Sequence, residues 1–385
     1  MALAVATPPP RVSRVTSIDI IRGVVMVLMA IDHVRVYSGV PAGGATAGVF
    51  FTRWVTHFCA PVFVFCAGVS VYLMVAKAFR EGGGSGTSTL SRFLLTRGLF
   101  LVLLEPTVIR LSWTFSLDYS QFLLAGVIWM LGICMMLMAA LVWLPLRAIV
   151  AVGILVVFGQ DLMRSLPLVP VTQFVYFGGE IPVADGPAIT VLSSVVPWIG
   201  VMALGYGFGV ILTQPPAARN RVCLQIGLTA GAVFVLLAGV AAFVSGPGDG
   251  GKPFLFRLLD QRKYPASQLF LLMTLAPAIV LIPYADRARG AVARMFEIFG
   301  RVPMFYYLLH IPVIHALSLA VWYARDGSTH SAAFVTAPYV WMPDARWPLW
   351  LLYVVFAASV VVLYPLCRWY AEYKTRTRAC WTHYI

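Results

Sequence analysis

Charge is what this chain has least of. Of its 385 residues only 11% are Asp, Glu, Lys or Arg, where an average soluble domain carries about a quarter. Mean hydropathy is +0.86, so a soluble globular protein is excluded. Cysteine is sparse too. The six, at 59, 66, 134, 223, 367 and 380, form no C-x-x-C pair. Neither a disulfide framework nor a zinc knuckle is indicated, and these thiols read as packing residues. The G-x-S-x-G elbow, the P-loop and a dinucleotide fingerprint set between a strand and a helix are all missing, which argues against a serine hydrolase and an ATP-driven pump. The first ten residues are too short and Pro-rich for a signal peptide, leaving the first apolar helix as the insertion signal. Acidic residues number 15 against 28 basic ones, a net charge of +13. No basic, aromatic-interleaved soluble module accompanies that excess, so nucleic acid is not the expected partner. Basic residues that hold cytoplasmic loops in place account for it.

What the chain has is apolar length. Hydrophobic residues make up 60% of it, in repeated runs of about 20 that match a hydrocarbon core of about 30 Å. The runs lack period-two alternation, so a membrane β-barrel is excluded. The expected fold is all-α: a polytopic membrane bundle of about ten spans, near 18–38, 54–76, 93–113, 122–143, 148–167, 189–212, 222–244, 266–284, 302–323 and 348–367. Most Lys and Arg residues fall on the side of the N terminus, which puts both termini in the cytoplasm. One domain, 1–385, is expected, with a cytoplasmic segment 1–16 and a cytoplasmic tail 368–385. Segment 81–89 reads as a flexible Gly-Ser linker. Segment 286–300 reads as amphipathic, at the headgroup level. Segments 168–188, 245–265 and 324–347 read as long external loops.

The stretch Ser17–Ser38, SIDIIRGVVMVLMAIDHVRVYS, reads as a spanning helix, yet it holds Asp19, Arg22, Asp32 and His33. Ionisable groups are costly in a bilayer and face a protein interior or a wet cavity. Arg22 and His33 lie eleven residues apart, which is about three turns, so they share a face about 16 Å apart along the axis. Met26 and Met29 lie between them. His57 opens the second span beside Asp32 and His33, and a carboxylate next to an imidazole sets its tautomer and basicity. Helix packing is the competing reading for each of these histidines. Glu105 precedes Pro106 and is expected to pair with Arg22 or Arg110. Lys263-Tyr264 sits at a membrane edge, as interfacial anchors or as contacts to an anionic group. His310 and His315 are five residues apart, about 140° around the helix. The i, i+4 zinc pattern is absent, and no metal is expected.

Several of these motifs together resemble one family. They are Ser17-Ile18-Asp19-Ile20-Ile21-Arg22-Gly23 with the helix to His33, and His57-x3-Pro61-x6-Gly68-x-Ser70. Gly300-Arg301-Val302-Pro303 with Tyr307 and His310, and Lys263-Tyr264-Pro265, complete the set. The chain is similar to the bacterial branch of the heparan-α-glucosaminide N-acetyltransferase catalytic-domain family, among the transmembrane acyltransferases. The resemblance implies a bundle of about ten or eleven helices in a bacterial inner (cytoplasmic) membrane. It implies that acetyl-CoA or another acyl-CoA serves as cytosolic co-substrate, with a sugar or other envelope acceptor on the far side. Related polysaccharide O-acyltransferases carry an arginine, ten residues and a histidine in an early helix, which Arg22 and His33 match. Lysosomal members place the active histidine after this helix. Segment 34–51 here has none, so His33 is the natural replacement.

The expected catalytic residues are therefore His33, as base or acyl carrier, with Asp32 to orient it and His57 to share its proton. Arg22 and Arg301 are expected at the phosphates of the CoA. Lys263, Tyr264, Tyr307 and His310 complete the donor-binding set, with Tyr307 or His310 stabilising the thioester oxyanion. The competing class is a proton-coupled transporter, whose path also collects Asp, Glu, His and Arg. A homo-oligomer is left open.

Overall fold

A computed structural model of the chain describes residues 15–44, 46–80, 86–166, 169–184, 186–246, 252–335, 346–377 and 382. Sixteen helices follow in order among them: α1 (Thr16–Ser38), α2 (Ala47–Trp54), α3 (Cys59–Arg80), α4 (Gly86–Leu104), α5 (Arg110–Thr114), α6 (Val127–Leu141), α7 (Leu146–Gly159), α8 (Val169–Thr172), α9 (Trp198–Leu212), α10 (Pro216–Val244), α11 (Phe254–Leu259), α12 (Gln268–Ala285), α13 (Ala291–Arg301), α14 (Pro303–Asp326), α15 (Ser331–Val335) and α16 (Leu349–Arg376). The protein is mostly helical. Among the described residues, six helical stretches are long and apolar enough to cross a membrane: Ala47–Lys77, Leu146–Ser165, Pro216–Val244, Gln268–Ala285, Pro303–Asp326 and Leu349–Arg376. Val127–Leu141 and Trp198–Leu212 are shorter apolar helices. The long helices leave large apolar side chains outside: Leu228, Val235, Leu236 and Phe243 on α10, and Val361 and Val362 on α16. Apolar faces turned outward as well as inward suit a lipid solvent.

α1 lies at the centre, packed against α3, α12, α13, α14 and α16. Its tightest crossing is with α13. A Cβ on Gly23 would sit 1.8 Å from the Phe296 carbonyl oxygen, and one on Gly300 1.7 Å from that of Asp19. Only glycine lets two backbones approach so closely. Gly68 and Gly205 do the same for α3 and α9, where an added Cβ would meet the Met202 and Phe65 carbonyl oxygens at 2.0 and 2.2 Å. Segment 286–300 is amphipathic as expected, and most of it forms α13.

The purely helical expectation is corrected by a small sheet. Strands β1 (Phe122–Ala125), β2 (Gly179–Ile181) and β3 (Ala188–Val191) lie in the order β1-β3-β2. β1 runs parallel to β3 in the register Phe122↔Ala188 to Ala125↔Val191, and β2 runs antiparallel to β3. Two segments expected to be helical from 122 and 189 thus begin as strands. Gly126 is extended at the start of α6, and Pro197 delays the start of α9. The β-branched Ile189, Thr190 and Val191 favour the pleated form. Two further boundaries move. Gly86–Thr89, expected as linker, opens α4, while residues 81–85 lie outside the described residues. The first part of the expected tail continues α16 to Arg376, with an Arg368–Glu372 ion pair of 3.1 Å one turn apart. Arg11, Arg14 and Arg378, used in assigning sidedness, also lie outside the described residues.

Candidate active site

α1 ends cleanly, because Gly39 takes the left-handed conformation (φ 70°) that closes a helix. The last turns before it border a cavity of about 540 Å³. Val25, Met26, Met29, Asp32 and His33 form one wall, and Trp113, Leu124 and Val191 to Ser194 another. Lys263, Tyr264 and Arg53 line it together with Arg35, Gly39 and Val40 at the Ser38 end of α1. Glu105, Trp198 and Tyr307 complete the lining relevant to chemistry. The volume suits a small-molecule site that is apolar with a few placed polar groups.

His33 borders this cavity, and its tautomer follows from its neighbours. His310 is fully buried, and its Nδ1 lies 2.7 Å from the Tyr307 carbonyl oxygen and 3.2 Å from that of Tyr306. A carbonyl only accepts, so His310 Nδ1 carries hydrogen. In the neutral ring Nε2 is then a lone pair. His33 Nδ1 is 2.7 Å from that Nε2 and so donates to it. The network therefore assigns a lone pair to His33 Nε2, which makes no hydrogen bond among the described residues. The Trp113 ring meets His33 edge-on at 4.9 Å, and Trp113 is itself pinned, since Tyr37 donates its hydroxyl to the Trp113 carbonyl at 2.8 Å.

Other expected partners are elsewhere. Asp32 forms no hydrogen bond with His33. It accepts from Arg35 Nε at 2.8 Å and from Arg53 Nη1 at 2.7 and 2.8 Å. His57 sits in the 3₁₀ turn Val55–Phe58, packs edge-on against Phe270 at 5.4 Å and does not line the cavity. The turn points it at α12 rather than at α1. Arg22 is a structural clamp, donating to Ser70 Oγ at 2.7 Å, to the Gly300 carbonyl at 3.3 Å and to that of Cys66 at 3.5 Å. Arg22 and Arg301 do not line the cavity, whereas Lys263, Tyr264 and Tyr307 do. His310 stands behind His33 instead of at the lining. The six residues expected to bind the donor thus fall into two groups at opposite ends of α1.

Glu105 pairs with neither arginine expected for it. Its carboxylate accepts from the Trp129 amide at 2.8 Å, in the first turn of α6, where a negative charge is favoured. The π-helical turn Glu105–Ile109 carries it there. Arg110 gathers the carbonyls of Phe122, Ser116 and Asp118. At the Ser38 end, crowding by protein pushes the Tyr264 phenol up, but the Lys263 ammonium and the Arg53 guanidinium outweigh it, so its pKa falls below the usual value. Sequence reasoning missed Ser193, Ser194 and Trp198, which line the cavity where β3 gives way to α9. Pro197 was the one available signal. Among the described residues, no group of three His, Cys, Asp or Glu side chains could hold a metal ion.

Residues 14–238, more than half of the chain, match the family model described as heparan-alpha-glucosaminide N-acetyltransferase, catalytic. The chain belongs to this family. No curated protein matches it. Membership in this N-acetyltransferase family, on a chain with six apolar helices of membrane length, places the protein among membrane acetyltransferases. The matched region holds Asp32, His33, Glu105 and Trp198. Lys263, Tyr264, Tyr307 and His310 lie beyond it.

Proposed function

We propose that the protein transfers an acetyl group from acetyl-CoA, or another acyl group from its CoA thioester, to a hydroxyl or amine of a sugar or other envelope acceptor. The single observation that carries this reading is the unpartnered Nε2 of His33, bordering the cavity with its Nδ1 engaged by His310. In the proposed step His33 Nε2 takes the acceptor's proton as the acceptor oxygen or nitrogen bonds to the acyl carbon. The C–S bond breaks, and the proton passes from His33 to the departing thiolate. The His310 contact keeps the His33 proton on Nδ1 throughout. The Tyr307 hydroxyl is the proposed donor to the oxyanion. Lys263, Tyr264 and Arg53 hold anionic parts of the substrates at the Ser38 end, while Arg22, committed to Ser70, Cys66 and Gly300, braces the Thr16 end and takes no part in binding.

The reading carries a topology with it. About ten spans form one domain in a bacterial inner membrane, with both termini in the cytoplasm and the cavity opening on the opposite face. Ten helical stretches among the described residues overlap the ten expected spans, which supports that count: α1, α2–α3, α4, α6, α7, α9, α10, α12, α14 and α16.

The test is His33→Ala, purified in detergent and compared with the parent for acetyl-CoA consumption. We expect a loss of about 10²–10⁴-fold with an unchanged melting profile. Parent-like turnover in the variant discards His33. A parent protein that accumulates solute in vesicles without consuming acyl-CoA discards the enzyme.

A further inference from the structure

A second cavity, of about 890 Å³, lies at the Thr16 end of α1, among the first turn of α10, the end of α12 and the start of α13. It is distinct from the cavity at His33 and shares no lining residue with it. Four arginines line it: Arg219, Arg287, Arg289 and Arg294. Of its two carboxylates, Asp286 is taken by Arg219 at 2.5 Å, and Glu297 makes no ion pair among the described residues, so four arginines against two carboxylates leave the lining with a charge of +2. Arg289 is also committed, donating to the Asp286 and Ala288 carbonyls at 2.9 and 2.8 Å. The guanidinium groups of Arg287 and Arg294 make no hydrogen bond or ion pair among the described residues, and both are exposed. The groove thus has a braced floor and two arginines free to meet an anion.

Two further features sharpen the choice of anion. α13 begins at this groove with Gly290, which offers no side-chain cap, and its first turn has no acidic residue. Its unpaired amides and dipole add positive potential where the arginines already supply it. Beside the groove, the last turns of α12 expose Leu281 (52%) and Tyr284 (58%), and α13 exposes Val292 (65%). A bare phosphate makes no use of an apolar strip running away from its site. A phosphate bearing acyl chains uses both.

We propose that this groove binds the phosphodiester headgroup of an anionic phospholipid, with the acyl chains lying along Leu281 and Tyr284. The lipid would fasten α13, which meets α1 backbone to backbone at Gly23 and Gly300. Anionic headgroups attract each nearby arginine, and losing two costs roughly thirtyfold in affinity.

The experiment uses the full chain, purified in detergent and stripped of lipid, with phosphatidylglycerol retention measured by native mass spectrometry. The parent should retain phosphatidylglycerol in preference to phosphatidylcholine. The double variant Arg287→Gln, Arg294→Gln should hold it about thirtyfold more weakly. A control of equal charge loss outside the groove, Arg92→Gln with Arg147→Gln, should retain it like the parent. Equal losses in both double variants would mean diffuse surface charge and overturn the proposal. Displacement of the lipid by inorganic phosphate at the same concentration would mean a free-phosphate site and overturn it as well. Parent-like retention in the Arg287, Arg294 variant would overturn it outright.

Discussion

α1 carries the same ionic turn twice, Asp19-x-x-Arg22 near its start and Asp32-x-x-Arg35 near its end, and the two have opposite fates. At the first, Asp19 and Arg22 approach to 3.7 Å, and the arginine also reaches Ser70, Cys66 and Gly300. The Gly300 crossing of α13 fills the space beside it, and neither Asp19 nor Arg22 lines either cavity. At the second, Arg35 and Arg53 hold Asp32, and the residue after it, His33, borders 540 Å³ of open volume. The letters on α1 are nearly the same. What differs is what lies beside it: α13 crossing on Gly300 at one end, a cavity bordered by the end of β3 at the other. A buried charge marks a place that the fold must satisfy, and whether it also becomes a site depends on the neighbour.

The contrast can be pressed experimentally. After His33 itself, the largest effect on transfer is expected at His310. His310→Ala removes the group that holds the His33 proton on Nδ1 and should lower kcat roughly tenfold or more with little change in KM. A change in KM alone would show that His310 contacts substrate instead. Next comes Gly23→Ala, which forces apart two backbones in contact and should cost about 1–3 kcal/mol, read as a lower melting temperature in detergent. An unchanged melting temperature would dissolve the idea of a close-packed crossing. Asp32→Asn leaves Arg35 and Arg53 beside the cavity without their carboxylate and should shift KM for charged substrates by several-fold. Asp19→Asn should alter stability and leave KM unchanged, and equal KM shifts in the two would erase the difference between the ends. The smallest effect is expected at His57→Ala, within about twofold in turnover, because its ring packs on Phe270 outside the cavity.

The helices were legible because apolar runs of membrane length leave few alternatives. The span expected at 266–284 is α12, Gln268–Ala285, and the one at 148–167 overlaps α7 and the turn after it. His33, Lys263 and Tyr264 could be picked out because an ionisable or amphipathic group is conspicuous beside so much hydrocarbon. The strands were hidden, since three or four residues at the head of an apolar run carry too little periodicity to announce a parallel pairing. The roles of Glu105 and His310 were hidden for another reason. Glu105 meets an amide 24 residues away, and His310 meets His33 across 277. No local pattern records such partners. Arg22 misled in the opposite sense: its spacing to His33 is that of a shared face, but three hydrogen-bonding partners from other helices had already claimed it.

The His33–His310 contact joins the two unequal parts of the chain. The stretch that defines kinship ends at residue 238, and the imidazole hydrogen-bonded to His33 arrives more than seventy positions later. A fragment cut at that boundary would keep the histidine and lose its orientation. On the proposed mechanism the unit of chemistry therefore reaches past the unit of inheritance recognised in the sequence, and the C-terminal helices belong to the catalyst, not its packaging.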